Sequence, residues 1–218
     1  MRLKYIYLWA VIALSLFNGC VTMPDKDYTT FRKLQPKSIL VLPPLNNDFD
    51  ERASYSYLST ISSPLAEHGY YVFPVAVIDH FLKENGLPTP GEMHQIPLKK
   101  VDEIIGADAV FYVEIEEYGT DYNVLSSDTI VAVNARLVDV KTGQEIWEGR
   151  KKVIFSSSDQ ANGDIIAMMI FAIISQIINS TTDEAHRASA ILNAQLILET
   201  GQGLLYGPRH ELFGTGGL

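Results

Sequence analysis

Residues 110–155, VFYVEIEEYGTDYNVLSSDTIVAVNARLVDVKTGQEIWEGRKKVIF, carry the strand signals on which the fold turns. From Val110 to Tyr118, Phe111, Val113 and Ile115 fall on one face and Glu114 and Glu116 on the other. Successive strand side chains point to opposite faces, so the alternation predicts a sheet packed on one side and solvated on the other. Thr129–Val140 and Glu145–Phe155 then form a hairpin about Lys141-Thr142-Gly143-Gln144, with Gly143 in the left-handed turn position. Each strand has the length of a membrane-barrel strand. Glu148, Arg150 and Lys152 on one face of the second strand and Lys151 on the other leave no lipid-facing band, so the hairpin reads as soluble.

Upstream, Ser38–Leu42 is a short apolar strand stopped by Pro43-Pro44, and Asn46-Asn47-Asp48 continues as a polar loop. Arg52–His68 places Tyr57, Leu58, Ile61 and Leu65 at helical spacing, with a kink expected at Pro64, whose ring opposes the carbonyl of Thr60. Gly69 caps that helix and Tyr70–Phe73 is a second strand, an order that predicts a parallel pair. Val75–Asn85 reads as a helix with Val77, Ile78, Phe81 and Leu82 on one side. Leu87–Gln95 reads as a surface loop, and Pro97 opens a helix running to Ile105.

Downstream, Ile165–Ile178 (IIAMMIFAIISQII) carries no charge. A helix of that length spans about 21 Å, too short to cross a bilayer. Apolar all round, it must be covered all round, by the core or a second subunit, by a partner's groove, or by a membrane. Its length and its lack of flanking aromatic or basic anchors favour the first. Ile166, Met169, Ile170, Ile173 and Ile177 are therefore candidate interface residues. Thr181 to Glu184 has capping-box spacing and opens a helix with Ala185, Ala188, Leu192 and Leu196 on one stripe. The segment 201–218 holds six glycines and reads as flexible and irregular. The expected class is α/β (α+β): a mixed sheet of about five strands with a parallel βαβ start and an antiparallel C-terminal meander, flanked by helices, plus a C-terminal helical pair.

The 218 residues carry a formal charge of -9, with 47% apolar and 20% charged side chains. Those values exclude intrinsic disorder and an electrostatic nucleic-acid surface. At the start, Arg2 and Lys4 precede the uncharged stretch Ile6–Phe17. This is signal-peptide geometry, about 18 Å of helix and too short for a permanent span. Cys20 is the only cysteine, so no intrachain disulfide forms. On the residues alone, a conventional signal peptide with an incidental cysteine, or an uncleaved anchor, stays open. The run Phe17-Asn18-Gly19-Cys20 resembles a bacterial lipobox, which implies that Cys20 receives a diacylglyceryl group and becomes the acylated mature N-terminus. Three acyl chains hold stably where one holds marginally. Val21 rather than Asp after the cysteine implies outer-membrane sorting. The organisation expected is a signal peptide over 1–19, a lipidated N-terminus and polar tether over 20–37, a single periplasmic α/β domain over 38–200, and an irregular tail over 201–218.

Motifs of chemistry are sparse. There is no G-x-S-x-G elbow, no H-E-x-x-H and no phosphate loop, and His68, His80, His94, His186 and His210 lack ligand spacing. Glu114 and Glu116 read as a wet sheet face rather than an acid–base pair. No catalytic residue, metal or cofactor is expected. Tyr112, Tyr118 and Tyr122, beside the polar loop 121–128, form a candidate interaction patch, because exposed tyrosines are enriched at interfaces.

The segments PKSILVLPPLN (36–46), GYYVFPVAVIDHFLKENG (69–86), IPLKKVDEIIGADAVFYVEIEEYGTDY (96–122), ARLVDVKTGQEIW (135–147) and GLLYGPRH (203–210) resemble a family of bacterial lipoproteins of unassigned function, one of them a meningococcal surface-antigen candidate. That family is similar in fold to the periplasmic domains of CsgG and LpoB and to the N-terminal domain of TolB. The resemblance implies an outer-membrane-anchored periplasmic accessory protein without enzymatic activity, serving a secretion or surface-assembly complex. The partners it implies are the membrane through the lipid, and a second copy or an envelope protein such as a CsgG-like lipoprotein; nucleic acid is not one. The alternative is a module for peptidoglycan or another envelope glycan, using the face near Tyr118, Tyr122 and Arg150.

Overall fold

The computed structural model describes residues 26–122, 127–156 and 183–215. In chain order these form α1 (Thr29–Leu34), β1 (Ser38–Val41), β2 (Leu45–Asn46), α2 (Ala53–Glu67), β3 (Tyr71–Val72), α3 (Val75–Glu84), α4 (Pro90–Met93), α5 (Leu98–Ile104), β4 (Ala109–Tyr122), β5 (Ser127–Asp139), β6 (Glu145–Ser156) and α6 (Glu184–Leu198). The strands make one sheet in the order β3-β1-β4-β5-β6, with β2 also paired to β4.

β1 is parallel to both neighbours, Ile39 standing opposite Val72 on one side and Ala109 on the other. The strands β4, β5 and β6 form an antiparallel meander, and Gly143 takes φ 70° in the turn between the last two. The parallel start and the antiparallel meander are those expected from alternation and turn chemistry. The sheet has six strands, because β4 runs well past the end of β1. Pro43-Pro44 stops β1, and the chain then pairs again at Leu45 opposite Glu114, in a stretch expected to be loop.

Both faces of the sheet are packed at its parallel end, rather than one. Ile39, Val41, Phe111, Val113, Ile115, Val131, Val133 and Leu137 meet Tyr57, Ile61 and Leu65 of α2 and Leu192 and Leu196 of α6. On the other face Leu40, Leu42, Val110, Tyr112, Val138 and Val140 meet Ile78 and Leu82 of α3, Met93 of α4 and Val101 of α5. Crossover helices on both sides of a parallel sheet require this. Only beyond the reach of α3–α5 does the second face open at Glu114 and Glu116.

α2 accommodates Pro64 within it, and α6 crosses it there: the Asn193 amide donates to Thr60 Oγ1 at 2.8 Å. Asp183, rather than Thr181, caps α6, its carboxylate accepting from the amides of Ala185 and His186. Thr181 and the first helix of the expected C-terminal pair lie outside the described residues.

Two segments read as unstructured are folded into the domain. α1 forms inside the expected tether, with Phe31 buried and the Tyr28 hydroxyl donating to the Gly203 carbonyl. The described part of the tail, 201–215, has neither helix nor strand, yet Leu204 is buried and the Gly207 amide donates to the His68 carbonyl at 2.8 Å. A Cβ at Gly207 would stand 2.6 Å from the Gly69 carbonyl carbon, so this glycine permits close backbone approach rather than mobility. The loop 87–95 likewise contains α4, set by a capping box in which Thr89 and Glu92 exchange hydrogen bonds and Pro90 opens the turn.

Candidate interaction surface

Two of the three tyrosines of the expected patch are buried. Tyr118 is 5% and Tyr112 7% exposed. A bulge between Ile115 and Glu117 shifts the β4 register, so Tyr118, on the wet face by simple alternation, turns into the core. Its hydroxyl donates to Ser56 Oγ at 2.6 Å, and Ser56 meets His186 Nδ1 at 3.1 Å, tying β4 to α2 and α6. Burial pushes the Tyr118 phenol up from its ordinary value. Tyr122 stands in register with Ser127 at the far end of β4, its side chain outside the described residues. Cys20, Ile166, Met169, Ile170, Ile173 and Ile177 also lie outside them.

The open part of the sheet carries fixed charges. Glu114 accepts from Asn47 at 2.8 Å, Glu116 from Asn134, and Glu117 pairs with Lys152 at 2.7 Å across β5. Beside them a cavity of about 220 Å³ is lined by His94, Tyr112, Asn134, Arg136, Glu148 and Arg150. The Arg136 guanidinium lies 4.4 Å from the Tyr112 ring centroid, and His94 packs edge-on against the same ring. Burial lowers the His94 imidazole below its ordinary value, and its Nε2 meets the Pro43 carbonyl at 2.9 Å.

An apolar groove of about 410 Å³ runs between α3 and α5. Leu82 and Val101 reach the core beneath it, and Phe81, Leu87, Ile96 and Ile104 line it. Of Val77, Ile78, Phe81 and Leu82, expected on one side of α3, only Ile78 and Leu82 are buried, for the edge strand of the sheet is the two-residue β3, which covers little. Val77 is 62%, Phe81 37% and Ile104 60% exposed. Large apolar side chains gathered around a concavity mark an interaction surface, where a single exposed leucine would not. Among the described residues no cluster of three His, Cys, Asp or Glu has the placement of a metal site, and no helix is long and apolar enough to cross a membrane.

Residues 26–209 match the sequence profile of the family described as "Putative lipoprotein GNA1162-like". The chain belongs to this family. It is 40% identical over 205 residues to "Putative lipoprotein NMB1124/NMB1162" of Neisseria meningitidis serogroup B, an alignment that covers 93% of this chain and 94% of the relative. The crystal structure of lipoprotein GNA1162 from Neisseria meningitidis matches with a TM-score of 0.56 at 41% identity, covering 66% of this chain and 100% of that one. The LpoB C-terminal domain from Salmonella enterica gives 0.39 at 22% identity, over 54% of this chain and 82% of that one. The family match spans the sheet, α6 and the tail up to Arg209, a strap whose Gly207 and Arg209 amides donate to the His68 and Gly69 carbonyls at the end of α2, so the groove and the sheet cavity both fall within it.

Proposed function

We propose that this chain is a lipoprotein anchored through Cys20 to the periplasmic face of the outer membrane, acting without catalysis as an accessory or assembly protein of an envelope complex. The observation that carries the docking role is the groove between α3 and α5, where Phe81 and Ile104 stay exposed around an apolar concavity. Family membership and the lipobox-like run before Cys20 support the anchor. Ile166, Met169, Ile170, Ile173 and Ile177 supply a second apolar contact. The test is crosslinking in intact cells followed by affinity capture of wild type, Cys20→Ala and Ile104→Glu. A defined set of envelope proteins captured by wild type and lost with Ile104→Glu is expected, as is palmitate labelling that disappears in Cys20→Ala. Capture unchanged by Ile104→Glu overturns the docking role, and labelling retained in Cys20→Ala overturns the anchor.

A second reading is favoured by the sheet cavity, in which Arg136 and Arg150 face a mixture of hydrogen-bond donors and acceptors. With Glu114, Glu145 and Glu148 in the lining as well, it suits the hydroxyl and amide groups of an envelope glycan. Retention on purified sacculi, reduced in Arg136→Ala/Arg150→Ala, supports it; retention no greater than that of a control lipoprotein overturns it.

A further inference from the structure

The point where the chain enters the fold decides which end of the domain lies nearest a membrane. The Lys26 amide donates to the Gly201 carbonyl at 3.3 Å, and the Lys26 ammonium lies 4.8 Å from the Trp147 ring centroid. Trp147 is in register with Leu137 and Leu137 with Phe111, so the entry stands at the Ala109 end of β4. Cys20 is six residues from Lys26, a stretch that covers at most about 20 Å. From Phe111 to Tyr122, β4 runs about 35 Å further. Phe49, 103% exposed, belongs to that far end, for its neighbour Asp48 accepts from the Tyr118 amide at 3.0 Å. A lipid on Cys20 therefore holds the Ala109 end nearest the bilayer.

Charge divides that end in two. On the side of Trp147, the charges of Glu145, Glu148 and Glu199 act on the Lys26 ammonium. At the C-terminus of α1 the sign reverses. Lys33 and Lys37 are exposed there and meet no carboxylate among the described residues. Arg209 of the strap continues the row, its guanidinium 5.3 Å from the ring centroid of Tyr71, whose amide donates to the Lys37 carbonyl at 3.0 Å. Carboxylates are fewer on this side: Asp108 accepts from the amides of Lys37 and Ser38, and Glu211 is the only acidic residue of 201–215. Asp27 stands at the other end of α1, and Asp102 and Glu103 belong to α5 on the opposite face of the sheet. In a chain with 26 acidic and 17 basic side chains, such an edge is attracted to an anionic surface that repels the rest.

Beside this row the strap ends in two adjacent apolar side chains. Leu212 and Phe213 are 46% and 39% exposed, next to Arg32 and around a cavity of about 160 Å³ over Phe31 and Tyr70. The turn that presents them is held in place: the Leu212 amide donates to His210 Nδ1 at 3.1 Å, the Phe213 amide to the His210 carbonyl at 3.0 Å, and the His210 ring stacks 4.0 Å from that of Tyr206. Apolar groups ringed by basic ones have the composition of a contact with a bilayer interface, where the first enter the headgroup layer and the second meet phosphate.

We infer that this end of the domain lies against the anionic phospholipid surface that holds the anchor, with Leu212 and Phe213 entering the headgroup layer and Lys33, Lys37 and Arg209 meeting lipid phosphates. This rests on the acylation of Cys20 proposed above and adds a protein contact to the lipid one. Once the lipid is inserted the contact forms within one molecule, at a raised effective concentration, so a weak contact suffices. It orients the domain, with the Phe49 loop turned away from the bilayer.

The test uses the full chain, purified from membranes and reconstituted in vesicles of phosphatidylethanolamine and phosphatidylglycerol, with an environment-sensitive thiol dye and a lipid-borne quencher. An acylated Cys20 has no free thiol, so the dye marks only the cysteine introduced in Leu212→Cys or in Phe49→Cys. The dye in Leu212→Cys is expected to shift to the blue and be quenched, and the dye in Phe49→Cys to stay in water. Adding Lys33→Glu/Lys37→Glu to Leu212→Cys is expected to lower the docked fraction roughly tenfold or more, and omitting phosphatidylglycerol lowers it as well. All four positions are exposed, and unaltered thermal unfolding confirms that the variants fold. Equal quenching in Leu212→Cys and Phe49→Cys, or quenching in Leu212→Cys that survives the charge reversal or the loss of phosphatidylglycerol, would overturn the contact and leave the anchor standing. Wild type that takes up the dye at Cys20 overturns the anchor and the contact together.

Discussion

His68 ends α2 and receives the strap. Its ring is buried, its Nε2 meets the Leu204 carbonyl at 2.8 Å, and it packs 4.6 Å from Tyr206 and 5.9 Å from His210, centroid to centroid. Burial, the largest influence, holds its imidazole below the ordinary value near 6.5; the Leu204 carbonyl opposes this and His210 adds to it. In the unfolded chain His68 binds a proton more readily than in the fold. Its neutral form therefore contributes stability that is full above pH 6.5 and lost as the pH falls through the lowered value. The thermal midpoint is expected to fall on acidification below pH 6.5, and to fall less steeply in His68→Gln; parallel slopes in the two proteins would show the strap insensitive to this proton. The residue type was visible in the sequence, but the strap on top of it was not, because 136 residues separate His68 from Leu204.

At the scale of elements, local rules succeeded where neighbours in sequence are neighbours in space. The hairpin turn, the parallel β1–β3 pair and the stripe Ala185, Ala188, Leu192 and Leu196 all follow from period and turn residues. They failed where a partner element decides. Thr181 and Asp183 both have caps to offer α6, and the helix begins after Asp183. Asp183→Ala is expected to cost about 0.5–2 kcal/mol in urea unfolding, as loss of a cap does. Thr181→Ala is expected to stay within about 0.5 kcal/mol of wild type. The capping box at Thr89–Glu92 has its usual spacing in the sequence, but Pro88, Pro90 and Gly91 around it favour the loop reading of 87–95.

Across the whole molecule, the sheet divides two tasks. One face buries α2 and α6; the other buries α3–α5 at the parallel end and leaves the cavity about Arg136 open. The tail closes the first core, for the Trp147 indole donates to the Gln202 carbonyl at 3.0 Å and Tyr70 to that of Leu205. Truncation after Gly203 is expected to lower stability by about 3 kcal/mol or more, the scale of emptying one buried leucine site, read as a lower urea midpoint; an unchanged midpoint would make the strap decorative. The sequence by itself determined the order of the main elements, β1, α2, β3, α3, α5, β4, β5, β6 and α6, together with the mixed sheet, the acidic character and the lone cysteine behind an apolar run, because periodicity, turn residues and composition act locally. Only the tertiary structure decided that Tyr118 lies inside and Phe49 outside, that both sheet faces are covered at one end, and that the glycine-rich tail is packed. A bulge, a covering helix and a close backbone approach each depend on residues distant in the chain, and no local period records them.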